Sequence, residues 1–270
     1  MIRPLAVEGA FYSKRDHLRK DLDKYFSQAI TDFEPNKILG IIAPHAGYIY
    51  SGNTAAYAYK YILGKKYKTV IVLSPSHYDY FEFVSAFSGD FYEAPFGNIP
   101  LNKEIIEKLT ELSGVVKKST HGHMVEEHAL EVQLPFLQYA IGEFSLVPLV
   151  IGNQNREFVY KLADDLKQVI NDETLIVAST DLSHFYNRKQ AEIIDDYFDL
   201  YVTNWDPDGL QLSLEYKRSE ACGGGGVVAL LKALEDNKDA KIRVTHRSYS
   251  SDVNHDTSRV VGYLSAIIYE

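Results

Sequence analysis

The hydrophobic pattern of the chain alternates between short, continuous apolar runs and longer stretches with helical spacing. Four apolar runs have the length and composition typical of strands buried on both faces, namely residues 39–43, 69–73, 144–151 and 175–178. Six stretches repeat apolar residues near a period of 3.6 and predict helices, namely residues 15–29, 52–63, 103–112, 127–140, 156–170 and 226–236. We expect Ser13 to cap the first of these helices.

The order of these elements predicts the fold class. Strands that alternate with helices are typical of βαβ units, and these build a mostly parallel sheet with helices on both faces. Residues 241–245 and 259–269 predict two further strands joined by a polar loop, which makes the sheet mixed. Because no linker, repeat or low-complexity tract interrupts the pattern, we expect one α/β domain over residues 1–270.

Composition and charge exclude several function classes. The net charge of −9 disfavours nucleic acid as a partner, because phosphate binding depends on clustered Lys and Arg. No apolar run approaches the roughly 18 residues that span a bilayer, and no secretory signal is visible at the N-terminus. A single cysteine allows no internal disulfide. We therefore expect a cytoplasmic protein with no membrane or nucleic-acid partner.

Polar residues follow three of the predicted buried strands. His45 follows the first strand, His77 the second, and Asp181 with His184 the strand at 175–178. A lone histidine after a strand is more often a structural, hydrogen-bonded residue. However, ligands of open parallel sheets bind beyond the carboxyl ends of the strands, so the threefold repetition favours one shared site.

Cys222 precedes four consecutive glycines and the start of a predicted helix. A helix N-terminus favours the thiolate, and a thiolate with two neutral imidazoles is a suitable ligand set for zinc, iron or copper. A small buried hydrophobe is the alternative on spacing alone. The glycines at 223–226 also suit a phosphate cradle, but the Lys and Ser/Thr of a P-loop are absent. Close approach of the backbone to the site explains them better.

The segment at 127–135 offers further acid and base groups. On a helix, Glu127 and Glu131 share one face, and His128 lies beside them. These residues could be structural and simply interact favourably with the helix dipole. Alternatively, they could be functional and orient a ligand or transfer a proton near the metal. His121 and His123 are expected in an exposed loop near the site.

Five motifs in order over nearly the whole chain resemble the Memo family, and the opening segment EGAFY (8–12) is similar as well. The five motifs are APHAGY (43–48), SPSH (74–77), EHALEVQLP (127–135), STDLSH (179–184) and ACG (221–223). In the opening segment, Phe11 stands where the animal protein has a tryptophan.

The resemblance implies a three-layer α/β/α sandwich with a mostly parallel, mixed central sheet, similar to the class III non-heme iron dioxygenases. Those dioxygenases bind ferrous iron with two His and a Glu. The pocket residues of the Memo family fall on His45, His77 and Cys222, with Asp181 and His184 as further pocket residues. In the animal protein this pocket is associated with iron or copper and with phosphotyrosine peptides.

The leading functional hypothesis is a metal-dependent oxidoreductase of unknown substrate. Iron(II) or copper would bind the two strand-end histidines and the cysteine, and zinc also suits these ligands. His184, held by Asp181, would act as acid and base, and Glu127 and His128 would complete the catalytic group.

Two alternatives stay open at the level of sequence. The same pocket, with charged histidines and a glycine-rich helix start, could bind an anionic or phosphorylated peptide or small molecule without chemistry. Alternatively, Cys222 could act as a covalent nucleophile with His45 or His184 as its base. Metal binding requires deprotonated ligands and anion binding protonated ones, so the response to pH separates the first alternative from the metal hypothesis.

Overall fold

The computed structural model describes residues 1–124 and 126–270. The described strands are β1 (Ile2–Arg3), β2 (Ile38–Ala43), β3 (Thr69–Pro75), β4 (Val84–Phe87), β5 (Phe91–Tyr92), β6 (Ile99–Pro100), β7 (Val116–Ser119), β8 (Ser145–Ile151), β9 (Thr174–Ser179), β10 (His184–Tyr186), β11 (Lys241–Tyr249) and β12 (Val260–Tyr269). The described helices are α1 (Arg15–Gln28), α2 (Tyr48–Tyr59), α3 (Lys103–Glu111), α4 (Gln133–Ile141), α5 (Arg156–Lys167), α6 (Arg188–Thr203), α7 (Pro207–Glu215), α8 (Gly224–Leu234) and α9 (Ser251–Asn254). A 3₁₀ turn, Lys60–Ile62, extends α2.

The main sheet is mixed, with a parallel centre. Within the described residues it has nine strands in the order β10, β12, β2, β9, β3, β8, β4, β7, with β11 paired to β12. The pairs β2–β9, β9–β3 and β3–β8 are parallel, whereas β12 runs antiparallel to β2 and β4 antiparallel to β8. The carboxyl ends of β2, β3 and β9 therefore meet at one edge, as the sequence predicts.

Helices cover both faces of this sheet. Every residue of β2, β3 and β9 is buried, which requires apolar cover on each face of the pleat. Helix α2 packs on β2, β11 and β12, and α8 packs on β3 and β9 with α5 and α7 beside it. The expected α/β/α layering with a large mixed sheet is confirmed.

Most predicted element boundaries agree with the structure to within a few residues, but the predicted helix at 127–140 begins too early. Helix α4 starts at Gln133, so Glu127 and Glu131 precede it and do not share a helix face. Ser13 does not cap α1, because Lys14 occupies the cap position and the Ser13 hydroxyl donates to Asp21. Helices α6 and α7 are not predicted by the apolar pattern alone.

No helix among the described residues has both the length and the apolar character needed to cross a bilayer.

Candidate metal centre

Three side chains that lie far apart in the sequence meet at the carboxyl edge of the parallel strands. His45 follows β2, His77 follows β3, and Cys222 precedes α8, whose N-terminus reaches the same edge. One ligand atom from each of the three lies within 4.8 Å of the other two. The imidazole centroids of His45 and His77 are 5.2 Å apart, and Cys222 Sγ lies 3.0 Å from His45 Nε2. The structure therefore brings together the three predicted metal-ligating residues.

The His77 side chain is oriented by a buried carboxylate. Glu127 Oε1 lies 2.9 Å from His77 Nδ1, and Glu127 Oε2 accepts from the His77 backbone N–H at 2.6 Å. Although burial alone would raise the pKa of Glu127, its hydrogen bonds with His77 and with the Ala129 N–H hold that pKa below the usual value. An ionised Glu127 can only accept, so Nδ1 of His77 carries a proton, and in the neutral ring that a metal requires Nε2 presents its lone pair.

The His45 tautomer is fixed by a chain of hydrogen bonds. The Ser179 hydroxyl donates its single proton to the Ala129 carbonyl at 2.6 Å, so this oxygen can only accept from its other neighbours. It accepts from Gln133 Nε2 at 2.7 Å and from His45 Nδ1 at 3.0 Å. Nδ1 of His45 therefore carries the proton, and Nε2 faces Cys222. Burial also lowers the pKa of His45 well below its usual value, which keeps the ring neutral.

Cys222 is held by a loop pinned against the end of β9. Its Sγ accepts from the Asp181 N–H at 3.3 Å, and Gln154 donates to its carbonyl at 2.7 Å. Contrary to the expectation that the helix N-terminus favours the thiolate, burial and then the nearby Asp181 carboxylate raise the pKa of the thiol. The protonated sulfur has two acceptors within reach, His45 Nε2 at 3.0 Å and the Asp181 carbonyl at 3.7 Å.

The glycine-rich start of α8 has little free capacity for an anion. The Gly223 N–H donates to Thr180 Oγ1 at 2.9 Å, the Gly224 N–H to the Ala221 carbonyl, and the Gly225 N–H to Gln154 Oε1 at 2.8 Å. Gly223 is required by close approach, since a Cβ there would lie 2.1 Å from the Ser179 carbonyl oxygen. Close packing against β9 accounts for this glycine.

His128 lies between two aromatic rings beside the three ligands. It stacks on Phe11 with a centroid distance of 4.1 Å and on His77 at 4.7 Å. Burial lowers its pKa to about 4, and its buried Nδ1 has no hydrogen-bond partner among the described residues. Its Nδ1 lies 3.6 Å from Glu127 Oε1, so the ring packs as a neutral group against both His77 and the carboxylate that orients it.

Asp181 and His184 do not form the predicted pair. Asp181 Oδ1 accepts from the backbone N–H groups of His45 at 2.8 Å and Ala46 at 3.3 Å, and no described hydrogen bond joins it to His184. Burial raises the pKa of Asp181 to about 6. Asp181 therefore braces the turn that carries His45. His184 lies on β10 and forms part of a cavity wall that Cys222 shares.

Glu131 and His123 are structural. The Glu131 carboxylate is fully buried and ties down the N-terminal segment, accepting from Arg3, from two backbone N–H groups and from the Tyr12 hydroxyl. His123, expected in an exposed loop, is completely buried, whereas His121 is exposed. His123 Nε2 lies 3.0 Å from the Ser85 carbonyl, and its Nδ1 is hydrogen-bonded to Tyr92. Neither Glu131 nor His123 has an atom free for a ligand.

The sequence analysis does not predict the supporting roles of three residues that position the candidate ligands. Ser179 and Gln133 fix His45, and Gln154 fixes the Cys222 loop. Gln133 is fully buried, and its Oε1 accepts from Tyr59 at 2.9 Å. A signal exists for Ser179, since it ends a buried strand directly before the Asp181 motif.

Fold and site together define an α/β protein with a buried cluster of two histidines and one cysteine at the edge of a parallel sheet. The sequence profile described as "Memo-like protein" matches residues 3–267. The chain belongs to the Memo family. It is 33% identical over 275 aligned residues to a MEMO1 family protein of Thermoplasma volcanium, with 99% of this chain and 98% of the relative covered. A MEMO1 family protein of Thermotoga maritima is 32% identical, with both chains fully covered.

A solved structure shares the fold. The crystal structure of an uncharacterized protein of Escherichia coli K12, JW3007, superposes with a TM-score of 0.55 at 11% sequence identity. The match covers 87% of this chain and all of the other. At this identity the likeness concerns the fold alone.

Proposed function

We propose that this Memo-family protein binds one iron or copper ion on His45, His77 and Cys222 and acts as a metal-dependent oxidoreductase. The observation that supports this most is the matched pair of tautomers. Both imidazoles have their protons on Nδ1 and present Nε2, with the cysteine sulfur in the same space. Two neutral nitrogens and one sulfur suit iron, copper or zinc, and three protein ligands leave coordination positions open.

A bound ion would supply a Lewis-acid or redox centre beside the cavity that reaches Cys222. The chain's own residues would then prepare the ligand. Glu127 keeps the proton on His77 Nδ1, and Ser179 keeps the proton on His45 Nδ1. His128 stacks on the ligand His77 beside the Glu127 carboxylate, and His184 contributes to the cavity wall from the side of β10. These two histidines are the proposed acid and base groups.

The alternative of a pocket for anions has weaker support. The first backbone donors of α8 are engaged with Thr180, Ala221 and Gln154. Burial lowers the pKa of both His45 and His128, so neither ring adds positive charge near neutral pH. Nucleophilic catalysis by Cys222 also has weaker support, because burial disfavours its thiolate unless a metal replaces the proton.

Anaerobic titration with Fe(II), Cu(I) and Zn(II) tests the proposal. We expect one ion per chain in the native protein, lost in Cys222→Ser and His77→Ala and kept in His121→Ala, which removes an exposed histidine outside the ligand group. Binding near pH 8 should release about one proton, from the Cys222 thiol, and should weaken on acidification. The metal proposal would be refuted if the native protein binds no ion, or if Cys222→Ser and His77→Ala bind it as tightly as the native protein.

Oxidoreductase activity is tested separately on the loaded protein. Oxygen uptake by the Fe(II)- and Cu(I)-loaded chain is measured against a panel of small organic compounds, with His77→Ala as the control that lacks a ligand. Compound-dependent uptake that disappears in the variant supports the activity. Stoichiometric metal with no compound-dependent turnover under either metal contradicts it and leaves a metal-binding protein.

A further inference from the structure

The 3–12 segment, from Arg3 to Tyr12, packs against the loops that position both imidazole ligands of the candidate metal centre. It is embedded in the protein, since Arg3 and Tyr12 are both buried. At one end, Arg3 contacts the loop that carries Glu127. At the other end, Phe11 contacts the start of α2, three residues beyond His45. The segment therefore connects the supports of two ligands that follow different strands.

Arg3 fixes the carboxylate that orients His77. Its guanidinium donates to the backbone carbonyls of Glu127 and His123, each at 2.9 Å, and it forms an ion pair with Glu131. All three partners are buried. Because a guanidinium holds its donors in a rigid fork, these bonds set the position of the Glu127 backbone. The Glu127 carboxylate in turn holds the imidazole Nδ1 and the backbone N–H of His77.

Phe11 supports both imidazoles from the other end of the segment. Its ring stacks on His128 at a centroid distance of 4.1 Å. His128 in turn packs on His77 at 4.7 Å and edge-on against His45 at 5.3 Å. The Phe11 carbonyl also accepts from the Tyr48 N–H at 2.7 Å. Since this N–H belongs to the first turn of α2 and lacks an acceptor within the helix, the bond ties the segment to the turn that carries His45.

We propose that Arg3 and Phe11 are positioning residues of the metal centre, and that docking of the 3–12 segment and metal binding stabilise one another. This inference rests on the proposed function, because it concerns how the affinity of the same metal site is set. A loose segment leaves His45 and His77 less restrained, and a metal that needs both rings in place favours the docked segment. The coupling is reciprocal, so the factor by which undocking weakens metal binding equals the factor by which the metal suppresses undocking.

The Zn(II) affinity of full-length variants tests the role of both residues. Arg3→Lys keeps a positive charge beside Glu131 but loses the rigid fork, and Phe11→Leu keeps an apolar side chain but loses the ring stack. We expect each variant to bind Zn(II) about tenfold more weakly, measured by competition with a chelator. Each should also shift the ¹⁵N resonances of the His77 ring, which a purely structural role would leave unchanged.

The matched controls are Arg243→Lys and Phe33→Leu. They alter an exposed guanidinium and a half-buried ring that pack on each other at 4.9 Å beside Asp32. Both controls should bind Zn(II) as tightly as the native protein does.

Hydrogen exchange of the native protein tests the reciprocal effect without any substitution, so the inference stays testable even if Arg3→Lys does not fold. The amides of Ala6 and Val7 report docking, because both donate to the buried Glu131 carboxylate. Saturating Zn(II) should slow their exchange about tenfold and leave the exchange of α3, which contributes no metal ligand, unchanged.

Native Zn(II) affinity in both Arg3→Lys and Phe11→Leu, or exchange of the 3–12 segment that Zn(II) does not slow, would overturn the inference. Metal stoichiometry on the same samples separates it from the proposed function. One Zn(II) per chain that is lost in Cys222→Ser, together with either of these failures, refutes the coupling alone. A native chain that binds no Zn(II) refutes the proposed metal site and the coupling with it.

Discussion

Glu127 holds His77 at two points, through the imidazole Nδ1 at 2.9 Å and through the backbone N–H at 2.6 Å. One buried carboxylate thus sets both the position of the strand-end turn and the tautomer of the ring. Carboxylates that orient a ligating imidazole in this way also raise its basicity. The metal affinity of the site should therefore depend on Glu127 even though its oxygens are already engaged.

Glu127→Gln should weaken metal binding without removing it. The amide oxygen can still accept from His77 Nδ1, but the negative charge that strengthens this bond is lost. We expect a decrease of about 10- to 100-fold in Zn(II) or Fe(II) affinity, measured by competition with a chelator. Glu126→Gln removes an exposed neighbouring charge and serves as the control. Equal affinities for the two variants would show that Glu127 does not orient the ligand.

Ser179→Ala should release the tautomer of His45. Without the hydroxyl, His45 Nδ1 and Gln133 Nε2 both lose an acceptor, and the preference for a proton on Nδ1 weakens. We expect about a tenfold loss of metal affinity and a change in the ¹⁵N shifts of the His45 ring. Ser74→Ala is the matched control, since Ser74 is a buried strand serine whose Oγ has no partner among the described residues. An unchanged His45 spectrum in Ser179→Ala contradicts the assignment.

Glu131→Gln should destabilise the fold much more than loss of a surface carboxylate. Glu131 and Arg3 are an ion pair with both side chains buried, so the substitution leaves the guanidinium charge uncompensated. We expect a loss of about 3–5 kcal/mol in the free energy of unfolding, measured with urea. Glu107→Gln breaks the exposed pair with Lys118 and should cost at most about 1 kcal/mol. Similar costs for the two would mean that the N-terminal segment does not depend on Glu131.

The parallel centre of the fold follows directly from the sequence, because its strands are continuous apolar runs buried on both faces. The convergence of His45 and His77 follows from the same pattern, since parallel strands place their carboxyl ends together. The position of Cys222 cannot be derived from the apolar pattern of the sequence. Its loop is fixed by the Gly223 N–H bond to Thr180 and by the close approach of Gly223 to Ser179, which are contacts between distant parts of the chain.

Local sequence features could have corrected two of the predictions, the start of helix α4 and the missing helix α7. Pro135 lies in the first turn of α4, where its missing N–H is tolerated, and this placement argues against a helix that starts at residue 127. Helix α7 has Asp206 as its cap, which accepts from the Gly209 N–H, followed by Pro207 at the first position. By contrast, the burial of His123 arises from Tyr92 and Ser85, which no local pattern reveals.

His123 should make the protein sensitive to acid. Burial lowers its pKa to about 3, below the ordinary value of 6.5, so between these values the unfolded chain binds a proton that the folded chain excludes. Stability from this group is therefore full above about pH 6.5 and decreases as the pH falls toward 3, by about 2 kcal/mol at pH 5. Urea unfolding at pH 7 and pH 5 measures the decrease.

His123→Gln, which retains a donor and an acceptor, should reduce the difference in unfolding free energy between the two pH values. His17→Gln on the exposed side of α1 controls for the loss of one imidazole. If His123→Gln keeps the full difference, the acid sensitivity belongs to His45 and His128, whose pKa values burial also lowers.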